Sequence, residues 1–265
     1  MATVEVRGHA IEVAWLAEPT ALPTLVFLHE GLGSALQWRD FPAELARSLG
    51  CGALAYSRRG YGGSQPLPGP WPASFLHDEA VLLPEMLAAA KVVTPPVLFG
   101  HSDGASIALV AAAAGLPVRA LVIEAPHVFV EEKTVTSIAA ASAAYPGALA
   151  GRLRKWHGEQ TDATFRAWAD VWLSAEFRAF NLEALLPRIS VPTLVIQGED
   201  DEYGTLAQVD AVARLAPGPV ETLALPRCGH TPHRDQRAAT LDAARSFITR
   251  VLKGVASLPI KSGRP

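Results

Sequence analysis

The chain has 265 residues, 49% of them hydrophobic, with a formal net charge of −3 and two cysteines. That length suffices for one large core, and its charges are scattered with no basic run or stripe, which argues against nucleic acid as a partner. Cys51 and Cys228 stand far apart without a CxxC partner, so neither a zinc site nor a disulfide framework is expected.

The N-terminal "MATVEVRGHAIEVAWL" lacks a basic segment followed by an apolar one. It is expected to form two short strands around Arg7-Gly8-His9 and not a signal peptide. "TLVFLHE", Thr24 to Glu30, has the pattern of a buried strand. "DFPAELARSLG" follows, with Phe41, Leu45 and Leu49 at helical spacing. "CGALAYSRRG" is the next strand, running into a Gly-rich stretch "SRRGYGGS". "FLHDEAVLLPEMLAAAK" predicts a helix that Pro84 should kink or start late. "PPVLFGHS" predicts a strand, "DGASIALVAAAAG" a helix stopping at Gly115, and "VRALVIEA" a strand. The nearly apolar run from Ala105 to Ala114 is too short to span a bilayer, so a soluble cytoplasmic protein with no membrane partner is expected. Later come the strand "PTLVIQGED", the helix "TLAQVDAVARLAPG", the strand "VETLALP" and a last helix from about Asp235 to Leu252. Strands alternating with helices predict an α/β fold, a mainly parallel twisted sheet covered on both faces.

About 60 residues between "VIEAPHVFV" and "PTLVIQG" carry no strand pattern, too many for an ordinary connection. Phe165, Trp168, Trp172, Phe177 and Phe180 crowd this region. Singly, each suits the buried face of an amphipathic helix. Together they suggest a helical cap at 127–187 over a core formed by 1–126 and 188–252, with 253–265 as a loose tail. No internal repeat is seen.

The stretch "FGHSDGASIALV" places Ser102 between Gly100 and Gly104, after a buried strand and before a helix. Two glycines let strand and helix approach closely, and the sharp turn lifts the serine hydroxyl to a positive helix end. A serine nucleophile needs a base, and "RCGHTPHRDQ" after the last strand offers His230, with His233 as competitor. His230 lies nearer the strand end and beside Gly229. The base needs an acid, and "QGEDDEYGT" offers Glu199, Asp200, Asp201 and Glu202.

Gly100-His101-Ser102-Asp103-Gly104, Gly198-Glu199-Asp200-Asp201 and Gly229-His230, in the order Ser, Asp, His, resemble the α/β-hydrolase superfamily over nearly the full chain. The resemblance implies that the acid stands three residues after Gly198, which is Asp201, with Asp200 second. Glu124, ending "LVIE", is an outside candidate. One oxyanion donor should be the backbone N–H of Asp103, the residue after the nucleophile. The other should come from His29-Glu30-Gly31-Leu32-Gly33, where relatives commonly carry Gly in the slot held by Glu30. Counting from His29 gives Gly31; treating Glu30 as an insertion gives Leu32. "SRRGYGGS" resembles a structural loop of the family, and His29 and His101 are expected to hold turns through backbone hydrogen bonds. His127, Trp168 and Trp172 are candidates for the substrate pocket. Trp38 is expected behind the oxyanion loop and Cys228 as a buried filler. The Asp103 carboxylate either answers the helix dipole or faces the pocket to receive a cationic or hydrogen-bond-donating group.

The reading that follows is a serine hydrolase acting on a small-molecule carboxylic ester or thioester, with no metal or cofactor. The same triad could serve C–C bond hydrolysis of a diketone-like substrate, acyl transfer or perhydrolysis. A receptor-like binding protein with slow turnover is the alternative of another class. A dehalogenase is disfavoured because such proteins carry Asp at the position of Ser102. Oligomeric state is not legible.

Overall fold

The structure, a computed structural model, describes residues 1–254. The expected tail lies, past Gly254, outside the described residues. Eight strands form one sheet in the order β1-β2-β4-β3-β5-β6-β7-β8. The N-terminal pair, β1 (Ala2–Val6) and β2 (His9–Ala17), is a hairpin turning at Arg7 and Gly8, and β2 runs antiparallel to β4 (Ala53–Tyr56). From β4 onward every pairing is parallel: β3 (Leu25–Leu28), β5 (Val97–His101), β6 (Ala120–Glu124), β7 (Thr193–Gly198) and β8 (Val220–Leu225).

The central strands are apolar on both faces because both faces are covered. Val26 and Leu28 of β3 point to the same side as Leu98 and Ile123, under α2 (Phe75–Ala89) and α3 (Asp103–Ala113). Leu25 and Phe27 point to the other side with Phe99 and Val122, under α1 (Phe41–Leu49) and the C-terminal helix. Phe27, Phe41 and Phe99 are at most 1% exposed, and burial of each such side chain stabilises the fold by about 1.5–3 kcal/mol.

Pro84 lies inside α2, which starts at Phe75, so the expected late start is not taken. Phe75, Leu76, Ala80, Leu83 and Leu87 bury one stripe against the sheet, and that packing outweighs the hydrogen bond a proline forgoes. The last helix is divided: a short turn, α8 (Pro232–Asp235), precedes α9 (Arg237–Leu252), with Gln236 between them at φ −129°, ψ 51°. The helix expected before β8 is α7 (Ala207–Leu215).

Between β6 and β7 the chain forms α4 (Glu132–Ala144), α5 (Gly147–His157) and α6 (Thr161–Leu173), then short 3-10 turns. The aromatics of this segment are buried, Trp172 to 1% and Phe177 to 1%. The segment is tied to the sheet's C-terminal edge by polar bonds. Thr164 donates to the Gly60 carbonyl at 2.6 Å, and Gln208 of α7 accepts from the Val128 N–H at 2.7 Å and donates to the Phe129 carbonyl at 3.1 Å.

Candidate active site

Loops at the C-terminal ends of β3, β5, β7 and β8 meet beneath α4 and α6, where an open parallel sheet gathers its ligand-binding loops. Ser102 follows β5 directly, at φ 54°, ψ −117°. That conformation costs a non-glycine residue about 1–3 kcal/mol and persists because the surroundings enforce it. The enforcement is close packing. A Cβ on Gly104 would lie 2.0 Å from the Leu28 carbonyl oxygen, and one on Gly100 would lie 2.5 Å from the Gly104 carbonyl oxygen. Only hydrogen fits at either place, so β5 and α3 clamp the serine turn between them.

The Ser102 hydroxyl donates to His230 Nε2 at 2.9 Å. His230 Nδ1–H donates to the Asp201 carboxylate, 2.8 and 2.9 Å from its oxygens. Asp201 also accepts from Gln197 at 2.5 Å and from the backbone N–H groups of Tyr203 at 2.7 Å and Gly204 at 3.2 Å. Burial alone would raise its pKa; His230 and the two N–H groups hold it below the ordinary carboxylate value. Burial likewise disfavours the His230 imidazolium, but the hydrogen bond and charge of Asp201, with Glu30 and Glu202, outweigh it and hold His230 above the ordinary histidine value.

The competitors are placed elsewhere. Glu199, Asp200 and Glu202 are exposed while Asp201 is fully buried. Glu124, the outside candidate for the acid, and His233, the competitor for the base, pair with each other at 2.6 Å. His101 Nε2–H donates to the His230 carbonyl at 2.7 Å and so holds the loop that carries it.

Glu30-Gly31-Leu32-Gly33 is a β-turn closed by the Gly33 N–H on the Glu30 carbonyl at 3.1 Å. Gly31 and Leu32 are its central residues. Among the described residues, neither their N–H groups nor that of Asp103 meets a protein acceptor. A Cβ on Gly31 would lie 2.2 Å from the Trp168 indole nitrogen, so α6 presses on this turn. His157, at the end of α5, accepts from the Gly62 N–H at 3.0 Å and donates to the Leu32 carbonyl at 2.9 Å, a second brace from the same insertion.

Arg58 is the residue that sequence reading passed over as part of a structural loop. It is 1% exposed, and its guanidinium donates to the carbonyls of His29 at 2.6 Å and Glu30 at 3.0 Å. Its backbone N–H donates to His29 Nε2, and His29 Nδ1–H in turn reaches the Glu30 carbonyl. The same guanidinium lies 3.5 Å from the Asp103 carboxylate, itself 1% exposed. Asp103 therefore starts α3 as expected, but its charge is turned to an internal cation, which neither expectation for it included. Burial pushes the Asp103 pKa up to about 6, with Arg58 opposing. The available signal was two adjacent arginines between a buried strand and a tight glycine turn, where one must face inward. Asp103→Asn is expected to lower stability by about 1–3 kcal/mol, because Arg58 then stays buried with carbonyls as its remaining partners. An unchanged urea midpoint would show that the pair contributes nothing net.

A cavity of about 60 Å³ lies over Ser102, Asp103 and His230. It has room for only a few waters. The turn contributes Glu30, Gly31 and Leu32, and the insertion contributes His127, Ile138, Trp168 and Trp172. Tyr203, unforeseen from sequence, closes it from the Asp201 loop. The His127 ring sits edge-on to Trp172 at 4.8 Å and 5.7 Å from His230. Burial pushes its pKa down to about 3, so it is neutral at physiological pH. Trp38 packs on Phe27, Phe99 and His233, and Cys228 is buried.

The sequence pattern of the Alpha/beta hydrolase family matches residues 25–243. The chain belongs to this family. As a member it has the α/β-hydrolase fold. The Alpha/beta hydrolase domain-containing protein aho-3 of Caenorhabditis elegans is 27% identical over 233 residues. The match covers 87% of this chain and 58% of that relative, so the chain spans little more than half of its length. A thermophilic esterase from Thermogutta terrifontis superposes with a TM-score of 0.72 at 21% identity, covering 94% of this chain and 98% of that one. The enol-lactonase from Burkholderia xenovorans LB400 gives a TM-score of 0.72 at 18% identity, covering 94% and 100%. At these identities the likeness is one of fold. No helix among the described residues is long and apolar enough to cross a membrane.

Proposed function

We propose that the protein is a serine hydrolase that cleaves a small carboxylic ester or thioester through an acyl-enzyme on Ser102. The observation that carries this reading is the unbroken hydrogen-bonded chain Ser102–His230–Asp201 at the floor of a cavity. Ser102 Oγ attacks the carbonyl while His230 Nε2 takes its proton. Asp201 keeps Nδ1 protonated and stabilises the imidazolium that forms. Negative charge develops on the carbonyl oxygen. The N–H of Asp103 and one from the Gly31–Leu32 turn are the donors aimed at it. His230 then protonates the leaving group. A water replaces it, loses its proton to His230 and releases the acid.

The reading is tested with a fluorophosphonate probe and a p-nitrophenyl ester of a short acid. Rapid labelling of Ser102 and a burst followed by many turnovers support it. Stoichiometric product with no further turnover favours a binding protein that retains the triad. Failure to label rejects the nucleophile.

Residues 127–187 act, in this reading, as a cap that sets acyl size. Trp168 lies against Gly31 and walls the cavity, so Trp168→Ala should shift preference toward longer acyl chains by about tenfold in kcat/KM ratio, since a methylene in a pocket is worth about 1–3 kcal/mol. A set of acyl esters of rising length measures this. Equal loss on all of them would leave Trp168 a packing residue only.

A further inference from the structure

Glu30 stands in a slot where a side chain is not expected and lines the cavity beside the reacting serine, where its carboxylate charge acts on Asp103, Tyr203 and His230. Its backbone carbonyl is occupied by Arg58, His29 and Gly33, but among the described residues its carboxylate has no hydrogen-bond or ion-pair partner. The other acids near the site are answered. Asp103 faces Arg58, Asp201 holds His230, and Glu202 accepts the His230 backbone N–H at 3.1 Å. Among the described residues no lysine or arginine lines the cavity, and the buried Arg58 lies behind the turn with its two terminal nitrogens on the His29 and Glu30 carbonyls. Trp168, Trp172 and Tyr203 supply aromatic walls next to this unanswered carboxylate.

A carboxylate beside aromatic faces in a small, largely enclosed space attracts a cation. The ion pair contributes a charge-assisted hydrogen bond, and the rings contribute their negative faces. An anionic acyl group would meet repulsion in the same place. We propose that the cavity takes acyl substrates bearing an ammonium group close to the scissile carbonyl, and that Glu30 receives this group. The proposal rests on the serine-hydrolase reading and adds the charge class of its substrate. Because the cavity holds only about 60 Å³, the ammonium stands within a small acyl chain and not at the end of a long one.

The test compares p-nitrophenyl β-alaninate with p-nitrophenyl butyrate, in which a methyl replaces the ammonium at the same chain length. Rates are divided by the hydroxide-catalysed rates of the two esters. The wild-type protein should prefer the β-alanine ester. Glu30→Gln should lower that preference by about ten- to a hundredfold, the effect of losing one hydrogen bond to a charged partner. Taking the ratio within each protein cancels any change in His230 basicity or folded fraction. A wild-type protein with no preference, or a preference that survives Glu30→Gln, overturns the proposal while butyrate turnover leaves the serine-hydrolase reading standing. Absence of both turnover and fluorophosphonate labelling of Ser102 overturns the two together.

Discussion

Ser102→Ala should reduce ester turnover by about 10⁴- to 10⁶-fold while the protein remains folded. The reason is specific to the geometry. The hydroxyl hydrogen-bonds His230 at 2.9 Å on a backbone that cannot move, because Gly100 and Gly104 admit no side chain. Among the described residues no second nucleophile stands ready beside His230. Cys228 is buried and its thiol pKa is pushed up to about 11, chiefly by burial, so it carries almost no thiolate at neutral pH. The substitution deletes one oxygen and leaves the clamp intact. Because alanine keeps the Cβ and the same φ of 54°, the thermal midpoint should stay within a few degrees of wild type. Steady-state assay beside a melting curve separates the outcomes. Residual activity within about a hundredfold of wild type in a folded Ser102→Ala protein would remove Ser102 as nucleophile.

Asp201→Asn should cost about 10⁴-fold in kcat, and Asp200→Asn little. Asn can present its amide N–H to Nδ1, which forces the proton onto Nε2 and leaves no base for Ser102. Asp200 is exposed, and its backbone N–H bonds the Cys228 carbonyl, a contact Asn keeps. Glu124→Gln should likewise be mild, because Glu124 serves His233 and not His230. A pH profile adds a second reading. kcat/KM should rise through a value above the ordinary histidine pKa of 6.5, because Asp201 with Glu30 and Glu202 overcomes the burial of His230. In Asp201→Asn that limb should move to lower pH, since burial remains and the opposing charge is gone. The stability consequence has the opposite direction to activity. A raised His230 pKa contributes stability fully below its unfolded value and loses it as pH rises through the folded value. Asp201, held low, contributes above its unfolded value and loses it as pH falls through the folded one. The pair therefore stabilises most between those two unfolded values, while the active form, with neutral His230, dominates only above the raised folded value of His230. A rising limb unmoved in Asp201→Asn would show that another group orients the base.

Much of this arrangement was legible along the chain. The alternation of "TLVFLHE", "PPVLFGHS" and "PTLVIQGED" with helical patterns specified a parallel sheet, because apolar runs of strand length can bury both faces only between helices. The serine between Gly100 and Gly104 was legible because a close approach of backbones requires hydrogen in place of Cβ, and that need is written in residue type. The helical insertion between β6 and β7 was visible as a length anomaly.

What sequence reading left open were choices among like residues, and these depend on distance and burial. Four acids in a row became one buried acceptor of four hydrogen bonds and three exposed side chains. His230 and His233, three apart, were separated by which carboxylate each one meets. Arg58 belonged to a loop read as scaffold, yet it reaches residues far away in sequence, the carbonyls of His29 and Glu30 and the Asp103 carboxylate. No local pattern encodes such a contact. By itself the sequence determined the sheet, the serine turn and the order of the catalytic candidates, because these follow from periodicity and from glycine's missing side chain. Only the tertiary structure decided which acid is buried, where Arg58 goes and that Glu30 has no side-chain partner among the described residues, because those are properties of separations between strands and not of spacing along one.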